Sequence, residues 1–68
     1  MKLSARNLLK GRVVEVQKGQ TTAHIRMEIA GGAVITAAIT NEAVDELDLK
    51  NGDEATAIIK ASDVLIGK

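Results

Sequence analysis

The sequence has no cysteine, no phenylalanine, tyrosine or tryptophan, and a single histidine in 68 residues. Disulfides are excluded, and so is a structural zinc site, which needs several thiolate or imidazole ligands. Those are the usual staples of a chain this short. Without aromatic rings the core loses their large burial contribution. It also lacks the stacking surface on which single-stranded nucleic acids are commonly held. Neither sign of charge dominates. Nine basic and nine acidic residues cancel, so no global field draws the chain to nucleic acid or to an anionic membrane, and any anion preference has to be local. The opening MKLSARNLLKGR is broken by Arg6, Asn7 and Lys10 and holds no signal-peptide apolar stretch. No segment approaches transmembrane length, and a cytoplasmic location is expected.

What is present is aliphatic. Hydrophobic residues make up 46% of the chain, yet one small domain of this length buries only a modest part of its unfolded surface. The two facts are reconciled if much of the apolar surface is buried between subunits, so an obligate homo-oligomer is the expected state.

Alternation is clearest from Thr22 to Ile29, where Ala23, Ile25, Met27 and Ile29 take turns with Thr22, His24, Arg26 and Glu28, the pattern of a half-buried strand. Arg12 to Gln17 forms an earlier strand, joined to it by the turn Lys18-Gly19-Gln20-Thr21. Ala30-Gly31-Gly32-Ala33 makes a tight hairpin into a third strand, Val34 to Thr40, whose two faces are both small or apolar. Thr40 or Asn41 then caps a helix of about two turns through Glu42 to Leu47, with Ala43, Val44 and Leu47 on one stripe. After the Asn51-Gly52 turn, Glu54 to Ala61 reads as a strand and Asp63 to Ile66 as a final one. The order predicts a mostly β, single-domain chain over residues 1–68. It suits a small Greek-key barrel of the oligonucleotide/oligosaccharide-binding (OB) type, with about five strands and one short helix after the third long strand.

Two short segments carry candidate chemistry. Ser4-Ala5-Arg6-Asn7 and Lys60-Ala61-Ser62-Asp63 each set a serine and a cation two residues apart around an alanine, in mirror order. On a strand, such pairs project to one face and the alanines point away. If the segments meet, two cations, two hydroxyls and nearby backbone amides converge, which is the donor set a tetrahedral dianion needs. Spacing by itself favours a plainer reading of solvated charges and turn-capping serines.

The longer context shifts that balance. Ser4 to Val13 resembles the S-A-R-N-x-L-x-G-x-V opening of the molbindins, small molybdate-binding proteins with a Mop or TOBE-like domain. Leu49-Lys50-Asn51-Gly52-Asp53-Glu54 and Ile59-Lys60-Ala61-Ser62-Asp63-Val64 resemble that family's second signature, and the similarity covers essentially the whole chain. Asp48 departs from it, standing where the family often has glycine after the helix. The resemblance implies an OB-like barrel, dimers that join as a trimer into a homohexamer, and molybdate or tungstate held between subunits for storage and homeostasis, with no organic cofactor. It assigns the dimer-interface site to Ser4, Ala5 and Arg6 with Lys60, Ala61 and Ser62, the alanines acting through backbone amides and the two motifs coming from different chains. It also implies a second class of anion site near a threefold axis, for which Lys18, Gly19, Gln20 and Thr22 are candidates through an amide nest. A plain hairpin closure with a solvated Lys18 fits those residues equally well.

Other chemistry has little support. His24 is the only imidazole available as a base and no serine sits on a G-x-S-x-G elbow, so the chain is not expected to be an enzyme. On the polar face of its strand, His24 reads as an exposed or interface residue. Glu42, Asp45, Glu46 and Asp48 read as a solvated helix face and not a cation site. No Walker sequence is present. Two alternatives remain: an OB-type nucleic-acid module, disfavoured by the missing aromatics and zero net charge, and a structural oligomerisation module in which the Arg6 and Lys60 regions pair with Asp63 or Glu15.

Overall fold

The computed structural model describes residues 3–68. Four strands form one antiparallel sheet: β1 (Asn7–Lys18), β2 (Thr22–Ile29), β3 (Val34–Thr40) and β4 (Glu54–Ile59). A helix, α1 (Asn41–Leu47), lies between β3 and β4, and a 3-10 turn over Ala61–Asp63 follows β4. The spatial order β3-β2-β1-β4 is a Greek key, because the chain makes a three-stranded meander and returns through α1 to the far side of β1.

β1 is longer than its alternating pattern suggests. It pairs with β2 from Gly11 to Lys18 and with β4 from Asn7 to Arg12, so one strand serves both halves of the curled sheet. Two local features permit this. Val14 is an extra residue between Val13↔Met27 and Glu15↔Arg26, and a bulge bends and twists a strand. Gly11 sits where β2 crosses closest, and a Cβ there would lie 2.4 Å from the Glu28 carbonyl oxygen, so no larger residue fits this crossing without displacing backbone.

The core lies on the concave side and is small: Val13, Ala23, Ile25, Met27 and Val44 are buried, with Val16, Ala37, Ile39, Leu49, Ala55 and Ala57 packed around them. β2 supplies three of the five by strict alternation, leaving Thr22, His24, Arg26 and Glu28 exposed as expected. The β2–β3 hairpin also follows the sequence, since Gly31 and Gly32 both take positive φ (88° and 89°) that an L side chain rarely adopts.

α1 begins where expected. The Thr40 Oγ1 accepts the Ala43 N–H at 3.0 Å. Its apolar stripe differs from the sequence reading. Val44 is buried but Leu47 is 65% exposed, because the helix ends at Leu47 and Asp48 turns left-handed (φ 51°). The Asp48 N–H donates to the Asp45 carbonyl and the Leu49 N–H to the Val44 carbonyl, each at 3.1 Å, a Schellman arrangement that folds Leu49 back onto Val44. Asp48→Gly should therefore stabilise the protein by about 0.5 to 1 kcal/mol, since glycine enters the left-handed region without a Cβ penalty. Among the described residues, the only ion pair lost is the exposed one to Lys50 at 3.4 Å. Chemical denaturation of the two proteins checks the sign.

The expected fifth strand is not formed. Asp63 ends the 3-10 turn, and Val64, Leu65 and Ile66 run on without a sheet partner among the described residues. β4 also stops at Ile59, two residues short of the expected Ala61. The physical reason is the turn itself: the Asp63 N–H donates to the Lys60 carbonyl at 2.9 Å and the Val64 N–H to the Ala61 carbonyl at 3.2 Å, which curls the backbone off the sheet. Leu65 and Ile66 end up 92% and 90% exposed.

The concave face stays open between β3 and β4. A groove of about 450 Å³ runs there, lined by apolar side chains that include Ile35, Ile39, Leu47, Leu49, Ala57 and Ile59. An open apolar groove together with an exposed apolar tail is unusual for a chain that folds alone.

Candidate oxyanion-binding site

The β1–β4 ladder determines where the two motifs go. Its rungs run from Arg12↔Glu54 through Lys10↔Thr56 and Leu8↔Ile58 to Asn7↔Ile59, the last pair. The residues that come next on the two strands are Arg6 and Lys60. Ser4-Ala5-Arg6 and Lys60-Ala61-Ser62 therefore leave the same end of one two-stranded ribbon, within one chain. The sequence reading draws the two motifs of one site from different chains; within each protomer the ladder sets them side by side.

The local conformation also departs from the strand geometry expected. Ser4, Ala5 and Arg6 precede β1, and Lys60 and Ser62 straddle the entry to the 3-10 turn. In such a turn it is residues three apart that eclipse, so Ser62 is swung off the face that Lys60 occupies, and the i, i+2 pairing on a strand does not hold for this motif. The turn has a different consequence for ligand binding. Its two hydrogen bonds use the N–H groups of Asp63 and Val64, leaving those of Ala61 and Ser62 without a backbone acceptor among the described residues.

Ser4, Arg6, Lys60, Ala61 and Ser62 are exposed, and Ala5 is half-buried. No side-chain hydrogen bond or ion pair among the described residues engages Ser4, Arg6, Lys60 or Ser62. The carboxylates that a scaffold role would have recruited do not pair with these cations among the described residues: Glu15 lies 3.8 Å from Arg26, and Asp63, in the same turn as Ser62, joins no ion pair. Two fixed cations thus sit at one end of the ribbon with their donors unspent. One protomer presents them on an open surface.

The second candidate set is differently placed. Lys18 and Gly19 occupy the β1–β2 turn beside α1, but the Lys18 ammonium is 2.5 Å from the Asp45 carboxylate. The Gly19 N–H donates to the Thr22 carbonyl at 2.8 Å, and the Gly19 carbonyl accepts from Asn41 Nδ2 at 2.9 Å. The buried Asn41 Oδ1 adds an acceptor without a partner to the same corner. Gln20 and Thr22 remain exposed. The charge and the glycine amide that would make a nest are both committed within the chain. His24 faces outward, flanked across the sheet by Gln17 and Ala38. No group of three or more His, Cys, Asp or Glu side chains among the described residues could hold a metal ion.

One residue with a structural part in this end of the molecule was not singled out by its chemistry. The Asn7 side-chain amide donates to the Ile59 carbonyl at 3.1 Å, joining the two strands at the last rung. Its only trace in the sequence is its position in Ser4-Ala5-Arg6-Asn7.

A curled Greek-key sheet with one short helix, with cations and hydroxyls at one ribbon end, defines a small OB-like protein. Residues 3–66 match the family described as TOBE domain, and the chain belongs to that family, in the single-domain group of the molybdenum-pterin-binding proteins, the molbindins. It is 53% identical over 66 residues to molybdenum-pterin-binding protein 1 of Clostridium pasteurianum, covering 97% of each chain. It superimposes on a molybdate-binding protein from Sporomusa ovata with a TM-score of 0.94 and 43% identity, all of both chains being covered. The cytoplasmic molybdate-binding protein ModG, crystallised with molybdate bound, gives a TM-score of 0.93 and 46% identity over 96% of this chain and 46% of that one. Among the described residues, no helix is long and apolar enough to cross a membrane.

Proposed function

We propose that the protein binds molybdate, and with it tungstate, reversibly and without turnover, at sites completed where copies of the chain meet. On this reading it holds and buffers the oxyanion in the cytoplasm. The observation that carries it is the placement of Arg6 and Lys60 just past the last β1–β4 rung, both free of intrachain partners among the described residues.

Molybdate is a dianion at neutral pH, and removing it from water is costly unless charge and hydrogen bonds replace its hydration shell. Arg6 offers a planar fork and Lys60 a point charge. Ser4 and Ser62 add hydroxyls, and Ala5 and Ala61 add amides. The two cations and the amides can only donate, so a ligand that brings its own proton, as phosphate often does, finds just the two serine hydroxyls to accept it and is disfavoured. Sulfate has the same charge and shape on shorter bonds, so cavity size is what excludes it. No proton transfer is required.

An open surface cannot enforce a size limit, which is why a partner is part of the proposal. The tail Val64–Ile66 is apolar and exposed and the groove between β3 and β4 is apolar and open, so on this reading the tail of one copy covers the groove of another. That contact completes the barrel, walls in the Arg6/Lys60 end and accounts for a core of five buried residues in a chain that is 46% hydrophobic. The hexamer built as a trimer of dimers, implied by the sequence resemblance, is the expected assembly. The Lys18–Thr22 turn ranks behind this site as an anion receptor, because its cation is already paired.

Calorimetric titration of the purified protein with molybdate, tungstate and sulfate, alongside native mass spectrometry, tests the reading. Saturation by molybdate and tungstate at no more than one anion per chain for the ribbon-end site, on an oligomer and with sulfate far weaker, is the expected result. No heat and no saturation with either metal oxyanion would leave a scaffold role.

A further inference from the structure

We propose that Asn7 is a positioning residue for the oxyanion site, acting by tying Arg6 and Lys60 into one rigid unit. This rests on the ribbon-end site proposed above. Asn7 is half-buried at the first position of β1, and its amide donates to the Ile59 carbonyl at 3.1 Å across 52 residues of sequence. That carbonyl belongs to the planar peptide unit that ends at the Lys60 nitrogen, so holding the oxygen holds the plane from which Lys60 departs. The next link is in place as well. The Lys60 carbonyl accepts the Asp63 N–H at 2.9 Å, which secures the turn bearing Ala61 and Ser62. On the other strand Asn7 is bonded directly to Arg6. One side-chain hydrogen bond thus joins Arg6, Lys60 and the Ala61–Ser62 amides in a continuous chain of fixed groups.

The position matters because strand ends fray. Backbone pairing of β1 with β4 ends at Asn7↔Ile59, and terminal rungs open at little free-energy cost. Both motif segments lie beyond that rung and neither belongs to a strand, so without the Asn7 amide they are joined to each other only through a rung that opens readily. A donor set that must match a dianion by size tolerates little such motion. Asparagine is well suited to this role, since it reaches across one strand spacing and its amide adds no charge that would compete with the anion.

The test pairs hydrogen exchange on the ligand-free oligomer with molybdate titration, for wild type, Asn7→Leu and Asn7→Ala. Leucine keeps the shape and removes the donor, and alanine serves if leucine disturbs packing. Expected in either variant is faster exchange at the Asp63 and Val64 amides, with exchange at the Val13 and Ile25 amides, the melting temperature and the mass state unchanged. Molybdate affinity falls about 3- to 10-fold, the size of one net hydrogen bond. Unchanged exchange at Asp63 and Val64 would overturn the proposal. So would affinity loss that tracks a general fall in melting temperature and core protection. If wild type takes up no molybdate, the binding function fails on its own terms, and the exchange result still decides whether Asn7 ties the two segments.

Discussion

Arg6→Ala is expected to weaken molybdate binding by about 1.5 to 3 kcal/mol, roughly 10- to 150-fold, while leaving the fold intact. The Arg6 side chain is exposed and makes no intrachain hydrogen bond or ion pair among the described residues, so the folded protomer loses almost nothing when it is truncated. The bound dianion, by contrast, loses a charge-assisted fork, which in the proposed interface site would be shielded from water. Arg6→Lys should fall between the two proteins, since it restores charge but not the paired N–H groups. Removing Lys60 as well should bring binding below the range calorimetry measures, because the hydroxyls and amides that remain carry no net charge. Titration of the four proteins at constant ionic strength, with melting curves to confirm folding, checks the series. A wild-type isotherm for Arg6→Ala would remove Arg6 from the site.

Deleting residues 65–68, which leaves the Val64 N–H bond to the Ala61 carbonyl in place, should have a still larger effect, on assembly first and on binding through it. Leu65 and Ile66 are almost fully exposed in one protomer, whereas burial of each side chain contributes about 1.5 to 3 kcal/mol. Two such residues per tail amount to roughly 3 to 6 kcal/mol, or on the order of a hundred- to ten-thousand-fold in the association constant. The truncated chain keeps all four strands, α1 and every buried core residue, so it should remain folded but shift toward monomer at micromolar concentration. With the apolar groove uncovered it should also aggregate more readily. If the site is closed by a second copy, molybdate affinity falls with the oligomer and recovers partly at high protein concentration. Native mass spectrometry across a dilution series, with equilibrium dialysis against molybdate, measures both. A truncated protein that stays oligomeric and binds as wild type would show that the tail is not the cover.

Much of this was legible in the residues. β2 could be read from strict alternation, the β2–β3 turn from two adjacent glycines, and the start of α1 from Thr40, since each depends on contacts only a few residues away in sequence. The donor inventory was legible too, since serine, arginine and lysine around alanine can be read directly, although their spacing alone favours solvated charges and the anion reading came from the longer resemblance. The local reading failed where a stretch lacks period or where its partner is absent. Asn7 to Gly11 carries adjacent leucines and a glycine, so it does not read as a strand, yet it is half of β1. Val64 to Ile66 has the composition of a strand but pairs with none among the described residues, because the 3-10 turn carries it off the sheet. Leu47 fitted a helical stripe that the left-handed Asp48 cut short.

Residue order was enough to specify the elements of the meander and the aliphatic character of the core. Only the folded chain brings the two motifs to the same end of one ribbon, pairs Lys18 with Asp45 and bridges Asn7 to Ile59. Side-chain type and periodicity are local properties, whereas the pairing of β1 with β4 is a long-range register, chosen by which face of each strand must be buried once the whole sheet has curled.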